Sequence, residues 1–168
     1  MIKVYAGNRP PLQNYAEVDV LNNLNEGEIQ HIANETGNHW RKIFNVYAKF
    51  MFELAGEVVD QNVLAFDTWQ AYRDGSLLQS GSDTELHLDN SATARALNNL
   101  DDGCVRIVMG KAYGESLLAW TDLKSLDADF AISKKGKVIV CPYFDYRQLS
   151  NLKITRLVTI VVELMGDQ

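Results

Sequence analysis

Short apolar runs and apolar residues at helical spacing alternate along this chain. The runs predict strands at residues 2–6, 63–66, 104–109 and 138–141. Steps of three and four between apolar residues predict a long helix that begins at a capping Asn38 and ends at Gly56. The pattern therefore predicts an α/β protein.

Other segments are less regular. Residues 75–90 are rich in turn formers and predict an inserted hairpin or a long loop. One helix is predicted through about residue 100, after a cap at position 89, 90 or 91, and another over residues 112–120. Residues 151–165 predict a last helix, with a strand as the alternative because the segment is rich in β-branched residues.

Strands that alternate with helices are typical of parallel sheets covered by helices. At 168 residues, the chain suits one domain with its own core. We therefore predict a single α/β domain over residues 1–168, a three-layer sandwich with a central, mainly parallel sheet flanked by helices.

The composition, 46% hydrophobic and 23% charged, is ordinary for a globular protein. No apolar run reaches the roughly 18 to 20 residues that cross a bilayer, and the first run is too short for a secretion signal. We expect a cytoplasmic protein without membrane association. The net charge of −6 argues against binding along an extended stretch of DNA backbone.

Cysteine usage predicts no metal site and no cofactor. Cys104 and Cys141 both fall inside predicted buried strands, where a small apolar core residue is the usual role. A zinc site needs about four closely spaced ligands, which the sequence does not supply. His31, Glu35 and His39 are spaced for one helix face, but the Gly-Asn pair before His39 favours a helix break and a solvated helix end.

Glu85, His87 and Asp89 alternate with leucines, so on a strand they share one face. That arrangement suits an acid/base cluster, and it equally suits the polar side of a half-exposed hairpin. The second interpretation is the commoner one.

All three prolines lie in two loops that each follow a predicted strand. Proline cannot donate to a sheet ladder, so these loops mark the places where strands stop. In open α/β sheets, ligands bind at the carboxyl ends of the strands. Four strand ends are expected at one edge: Gly7-Asn8, Asp67-Thr68, Gly110-Lys111 and Pro142-Tyr143.

Two of these strand ends carry residue types that suit a ligand. Lys111 and the free amides of a helix start suit an anion or the edge of a base. The alternative is that Gly110 and Lys111 only form the turn between a strand and a helix. Residues 142–147 combine aromatic side chains with a carboxylate and a guanidinium, which suits a nucleobase; an aromatic plug is the alternative. The predicted ligand-binding residues are Gly7, Arg9, Pro10, Thr68, Gly110, Lys111, Tyr143, Phe144 and Arg147, and the predicted catalytic residues are Asn8, Asp67 and Asp145.

The order of these segments resembles the uracil-DNA glycosylase superfamily. Residues 5–10 are similar to its Gly-x-Asp/Asn-Pro loop, and residues 107–112 to its Leu-Gly-Lys-like strand end. Residues 66–69 are similar in place to its middle motif, residues 138–145 to its last strand and His-Pro-Ser loop, and residues 37–40 to a helix start seen in mismatch-specific members.

The resemblance implies a central parallel sheet and a base-binding pocket. In the family, the Asp or Asn of the first loop activates water, and the histidine of the last loop stabilises the departing base. Here Arg9 directly precedes Pro10, so Asn8 takes the first role only after a one-residue shift, and Tyr143 stands at the histidine position. The resemblance therefore implies ligand binding without efficient base excision.

Three hypotheses follow. The first is a protein that binds a nucleobase, nucleotide or similar planar ligand at its strand-end loops. The second is a divergent N-glycoside hydrolase that uses Asn8, Asp67 or Asp145 on a water, with Tyr143 or Lys111 at the leaving group. The third is a non-catalytic protein-interaction module.

Overall fold

One mixed sheet and six α-helices make up the part of the chain that this computed structural model describes, residues 1–89, 97, 102–118, 123–133, 135 and 137–167. The strands are β1 (Ile2–Tyr5), β2 (Val20–Leu21), β3 (Thr84–His87), β4 (Val105–Met109), β5 (Lys124–Ser125), β6 (Ala131–Ser133) and β7 (Val138–Cys141). The helices are α1 (Glu28–Thr36), α2 (Asn38–Val58), α3 (Gln61–Leu64), α4 (Trp69–Gly75), α5 (Lys111–Leu117) and α6 (Asn151–Gly166).

The sheet order is β2-β3-β1-β4-β7-β6-β5. The four central strands, β3, β1, β4 and β7, run parallel, while β2, β6 and β5 pair antiparallel at the two sides. The prediction of a mainly parallel sheet is therefore corrected to a mixed sheet. The antiparallel strands are only two or three residues long, too short to show a hydrophobic period.

Helices pack on both faces of the sheet. The larger core lies on the face covered by α1, α2 and α6, where Trp40, Phe44 and Tyr47 are fully buried. On the other face, Tyr113 and Leu117 of α5 pack against Val108 and Val140. Among the described residues, no helix combines the length and apolarity needed to cross a membrane.

The predicted strand at residues 63–66 is wrong. Its residues lie in α3 and in the turn that follows, because a four-residue apolar run fits either kind of element. Asp60 accepts a hydrogen bond from the amide of Asn62 and caps α3, and Thr68 caps α4 by accepting from the amide of Ala71. The Asp67-Thr68 pair therefore lies between two helices and does not follow a strand.

The predicted loop at residues 75–90 contains β3, a central parallel strand beside β1. Leu86 and Leu88 point into the larger core, while Glu85 and His87 occupy the opposite face, so the expected alternation is present without a hairpin. Of the predicted helix that ends near residue 100, only Leu97 lies within the described residues.

The remaining predictions agree closely with the elements observed. Strands β1, β4 and β7 and helix α6 are confirmed, and α5 begins one residue before the predicted start. Residues 119 and 120 of the predicted helix lie outside the described residues.

Both predicted ends of the long helix are corrected. Asn38 is the first residue of α2 and not its cap, which is Gly37. The helix runs past Gly56 to Val58, and Val59 ends it in a left-handed conformation, φ 56°.

Gly114 of α5 is buried against β7, and a Cβ there would lie 2.5 Å from a methyl of Val140. We expect Gly114→Ala to lower the free energy of unfolding by about 1–3 kcal/mol through overpacking. Gly56→Ala, an exposed glycine in α2 with nothing within 4 Å, is the matched control and is expected to stabilise by about 0.5–1 kcal/mol. Urea unfolding measures both, and a stabilising Gly114→Ala would contradict the packing described.

Candidate functional site

The chain leaves β1 and β4 toward opposite faces of the sheet. After β1 it enters the layer of α1 and α2, whereas after β4 it enters α5 on the other face. In open α/β sheets, such a divergence between neighbouring parallel strands opens a crevice at their carboxyl ends, where ligands bind. The loops after β1 and β4 therefore bound the candidate site.

Three polar side chains meet at this edge, and we call them the strand-end cluster: Asn8, His39 and Tyr143. The Tyr143 hydroxyl lies 2.8 Å from Nδ2 and 3.0 Å from Oδ1 of Asn8. It also lies 2.8 Å from Nε2 of His39, which is itself 3.3 Å from Nδ2 of Asn8. A loop after β1, the first turn of α2 and the loop after β7 thus place three hydrogen-bonding groups within contact of one another.

Two hydrogen-bond patterns satisfy the strand-end cluster. In one, the Tyr143 hydroxyl donates to His39 and accepts from the Asn8 amide; in the other, it donates to the Asn8 carbonyl and accepts from His39. Burial raises the pKa of Tyr143, against the opposing effect of the hydrogen bond from Asn8, so the hydroxyl stays protonated at neutral pH. The cluster can therefore present either a donor or an acceptor to a ligand.

The uncapped start of α2 and an ion pair lie beside the strand-end cluster. Helix α2 begins at Asn38 without a side-chain cap, so its first amides and its dipole favour a negative group nearby. Lys42, one turn further along α2, lies 3.6 Å from the carboxylate of Asp145. Asp145 also accepts a hydrogen bond from the amide of Arg147, which fixes the loop after β7.

Two glycines lie just after β1 and β4. A Cβ on Gly7 would lie 3.1 Å from the ring of Tyr113, so the absence of a side chain lets that ring lie close against the loop after β1. Gly110 has φ +104°, a conformation that favours glycine, and it starts α5. Burial raises the pKa of Tyr113 to about 12, and its hydroxyl has no hydrogen-bond partner among the described residues.

Arg9 and its neighbour Pro10 lie in the loop after β1. The side chain of Arg9 binds backbone carbonyls and does not face an open ligand site. Its guanidinium donates to the carbonyls of Tyr15, Val18 and Asp89 at 2.8, 2.7 and 2.6 Å. Pro10, in the same loop, is buried. Both residues therefore position the loop that carries Asn8.

The remaining predicted site residues differ in burial and in position. Phe144 is fully buried, edge-on to Tyr47 in the larger core, and Arg147 is exposed over the ring of Tyr146. Lys111 lines a separate cavity of about 270 Å³ between α5 and the β5–β6 region. Asp67 and Thr68 are exposed at the turn between α3 and α4, so the structure does not place them at a strand end.

His39 is the residue of the strand-end cluster that sequence reasoning missed as a site residue. Its spacing groups it with His31 and Glu35 as a possible metal-ligand set, and the predicted helix break before His39 is confirmed at Gly37. Among the described residues, no group of histidine, cysteine and acidic side chains is arranged to hold a metal ion. Cys104 and Cys141 are free thiols. Cys141 is buried in the core as expected, but the prediction for Cys104 is wrong, because that residue precedes β4 and is only half-buried.

A second polar cluster lies on the sheet face opposite α2. His87 and Glu85 of β3 are 2.7 Å apart, and the His87 ring stacks on Tyr5 with centroids 4.4 Å apart. Burial lowers the pKa of His87 below 6.5, partly offset by the hydrogen bond to Glu85, while the charges of Lys3 and Arg106 lower it further. The folded protein therefore favours neutral His87.

This shift has a consequence for stability. The pKa of His87 is lower in the folded state than in the unfolded state. The contribution of neutral His87 to the free energy of unfolding is therefore fully present above pH 6.5, and it is lost as pH falls through the folded-state pKa. Urea unfolding between about pH 7.5 and pH 5 is expected to show falling stability that His87→Phe flattens. The matched control is His31→Gln, at an exposed histidine, which should leave the dependence of unfolding free energy on pH unchanged. If His87→Phe also left that dependence unchanged, His87 would not have this role.

These features define an α/β protein whose candidate ligand site lies at the carboxyl edge of a mixed sheet. The sequence matches the family described as a family of unknown function, DUF6942, over residues 1–162, and the chain belongs to this family. Searches of curated proteins and of solved structures found no match.

Proposed function

We propose that this protein binds a nucleobase, a nucleotide or a similar planar ligand at the strand-end cluster, without efficient base excision. The observation that carries the proposal is the convergence of Asn8, His39 and Tyr143, with contacts of 2.8–3.3 Å, at the point where the chain leaves β1 and β4 toward opposite faces. The resemblance to the uracil-DNA glycosylase superfamily stays a prediction and agrees with this location.

The chemistry of the strand-end cluster suits the polar edge of a base. A carboxamide such as that of Asn8 offers a donor and an acceptor side by side, the pattern that pairs with base edges. Tyr143 and His39 add a hydroxyl and an imidazole, and their rings, 5.6 Å apart, offer flat surfaces. The uncapped start of α2 favours a ligand with a phosphate or another anionic group.

The ligand we propose is small. The net charge of −6 disfavours a long DNA duplex, whose binding requires many clustered cations. We expect a mononucleotide to bind more tightly than its free base, because only the mononucleotide carries a phosphate that the first amides of α2 can bind.

Divergent N-glycoside hydrolysis is the second candidate, and His39 is the observation that favours it. An imidazole 2.8 Å from the Tyr143 hydroxyl provides a proton donor for a departing base near the position at which the resemblance implies a histidine. Asn8 and Asp145 would then orient the attacking water. Asp145 lies 3.6 Å from Lys42, so its carboxylate already has a partner.

Ligand-induced stabilisation tests the binding proposal. The thermal midpoint is measured with uracil, adenine, uridine and uridine monophosphate, since a ligand at about 100 times its Kd stabilises a protein by about 2.7 kcal/mol. For a domain of this size, that corresponds to a shift of roughly 5–10 °C. We expect the largest shift with the monophosphate and a smaller shift with Asn8→Ala; no shift with any of the four compounds would contradict the proposal.

A base-release assay separates the two candidates. A single-stranded DNA oligonucleotide that contains uracil is incubated with the protein. Alkali then cleaves the DNA strand at any abasic site. Under the binding proposal no product forms, whereas product that disappears in Asn8→Ala and Asp145→Ala would establish the hydrolase.

A further inference from the structure

Strand β2 is the last strand at one side of the sheet, and its outer side pairs with no other described strand. In an antiparallel pair, hydrogen-bonded residues alternate with residues whose N–H and C=O point away from the partner strand. The Leu88 amide donates to the Asp19 carbonyl at 2.8 Å, and the next pair in the register is Val20 with His87. The N–H and C=O of Val20 therefore point away from β3, and no described residue binds them.

A cavity of about 430 Å³ opens along this edge, between β2 and α1. Residues 20–24 line it without a gap. Successive side chains of a strand point to opposite faces of a sheet, so a cavity that contacts consecutive residues runs along the edge of the strand. The side-chain amides of Asn14, Asn22 and Asn23 also line it, and an amide can bind the N–H and C=O of a peptide backbone. The cavity therefore suits a segment of polypeptide placed beside β2.

The surface around β2 is acidic. Residues 10–40 contain five carboxylates, no lysine and no arginine, so they carry −5 of the net charge of −6. Glu17, Asp19 and Glu26 flank β2 along the chain and are exposed, and Glu28 lines the cavity. None of these four carboxylates forms an ion pair with another described residue. Their charge is therefore available to attract a cationic partner.

Arg9 contacts the same loop without neutralising these carboxylates. Its guanidinium donates to the backbone carbonyls of Tyr15 and Val18, and it pairs with no carboxylate in the described part of the chain. The Tyr15 hydroxyl donates to Glu28 at 2.8 Å, which orients that carboxylate and leaves its charge in place. One positive charge beside four negative ones leaves the surface acidic.

We propose that the open side of β2 binds an extended, basic segment of a partner protein by strand addition. The backbone of that segment exchanges hydrogen bonds with Val20, which is how peptides add to an exposed sheet edge. Its lysine or arginine side chains meet Glu17, Asp19 and Glu26, and one side chain enters the cavity beside Glu28. This surface is separate from the strand-end cluster, so the proposal and the proposed function stand or fall independently.

Charge decides between this occupant and two others. A second copy of the chain, paired through β2, would bring two acidic edges together, and like charges that face each other across a strand pair destabilise it. A nucleic acid would bring phosphates against the same carboxylates, whereas nucleic-acid binding requires clustered cations. A basic polypeptide supplies both the positive charge and the backbone that the free edge of β2 needs.

Fluorescence anisotropy with synthetic probes tests the proposal. The main probe is a short labelled peptide that alternates lysine with valine, which favours an extended strand. One comparison probe carries glutamate in place of lysine, and two others carry N-methyl groups at every second residue, one in each register. We expect saturable binding of the lysine peptide, weakened by salt and by N-methylation of the register that faces β2. Unlabelled spermine, a cation without a peptide backbone, is expected to compete only weakly.

Variants locate the binding surface. The double variant Glu17→Lys with Asp19→Lys reverses two charges and is expected to weaken binding about tenfold. Val20→Pro removes the outward N–H, and proline is tolerated at an edge-strand position of this kind, so binding should weaken while the fold persists. Glu163→Lys, an exposed charge reversal on α6, is the matched control and should leave binding unchanged. Circular dichroism verifies folding, and the charge-reversal variant decides the matter if Val20→Pro unfolds.

Three results would overturn the proposal. One is no saturable binding of the lysine peptide up to about 1 mM. Another is binding that the double charge reversal leaves unchanged. The third is equal binding of the lysine peptide and both N-methylated peptides, which would show attraction by charge alone without strand addition.

Discussion

Arg9→Met is expected to lower the free energy of unfolding by about 3 kcal/mol, the largest loss we expect from a single polar side chain in this protein. Each hydrogen bond from a charged donor contributes roughly 1.5–3 kcal/mol, and the three that Arg9 makes act as one unit rather than adding fully. The substitution leaves the carbonyls of Tyr15, Val18 and Asp89 without their donor. Urea unfolding at neutral pH measures the loss.

The matched control for this substitution is Arg147→Met, at the other proline-bearing loop. Arg147 is exposed and lies over the ring of Tyr146, so its replacement is expected to leave the free energy of unfolding essentially unchanged. Arg9→Lys should recover only part of the loss, since one ammonium cannot reach three carbonyls as a guanidinium does. Equal stability of Arg9→Met and Arg147→Met would show that Arg9 does not hold its loop.

Tyr143→Phe is expected to weaken binding of uridine monophosphate at least about tenfold while leaving the fold intact. The substitution keeps the ring but removes the hydroxyl that contacts Asn8 and His39, so both lose a partner and their alignment. A loss of about 1.4 kcal/mol, the net worth of one to two hydrogen bonds, corresponds to a factor of ten. Isothermal titration calorimetry measures the change.

Tyr146→Phe is the matched control for Tyr143→Phe, because it removes a hydroxyl three residues away from an exposed ring outside the strand-end cluster. Its affinity for uridine monophosphate is expected to equal that of the unchanged protein. If both substitutions weakened binding equally, the ligand would lie over the loop as a whole and not at the strand-end cluster.

Much of the fold could be predicted because its central strands and long helices carry clear patterns. Strands β1, β4 and β7 are short apolar runs, and α2 shows apolar steps of three and four over several turns. Strand β3 could not be predicted as a central strand, because Glu85 and His87 interrupt its apolar residues. This alternation is typical of a half-exposed hairpin. Its central position is set by pairing with β1, a non-local contact that no local window contains.

The candidate site was predictable in part. The loops after β1 and β7 follow strands that stop at prolines, and this predicted the proximity of Asn8 and Tyr143. His39 comes from the start of α2, 104 positions before Tyr143, and only the packing of α2 on the sheet brings them together. Asp67 was misplaced because residues 63–66 suit a helix as well as a strand.

The three histidines of the chain allow the most direct test of ligand binding at the strand-end cluster. His39 belongs to that cluster, His31 lines a cavity of about 430 Å³ beside β2, and His87 lies on the opposite face of the sheet. Imidazole nitrogen resonances are recorded by NMR while uridine monophosphate is added. We predict that the His39 resonances shift to saturation while those of His31 and His87 stay in place; unmoved His39 resonances at saturating ligand would contradict the account.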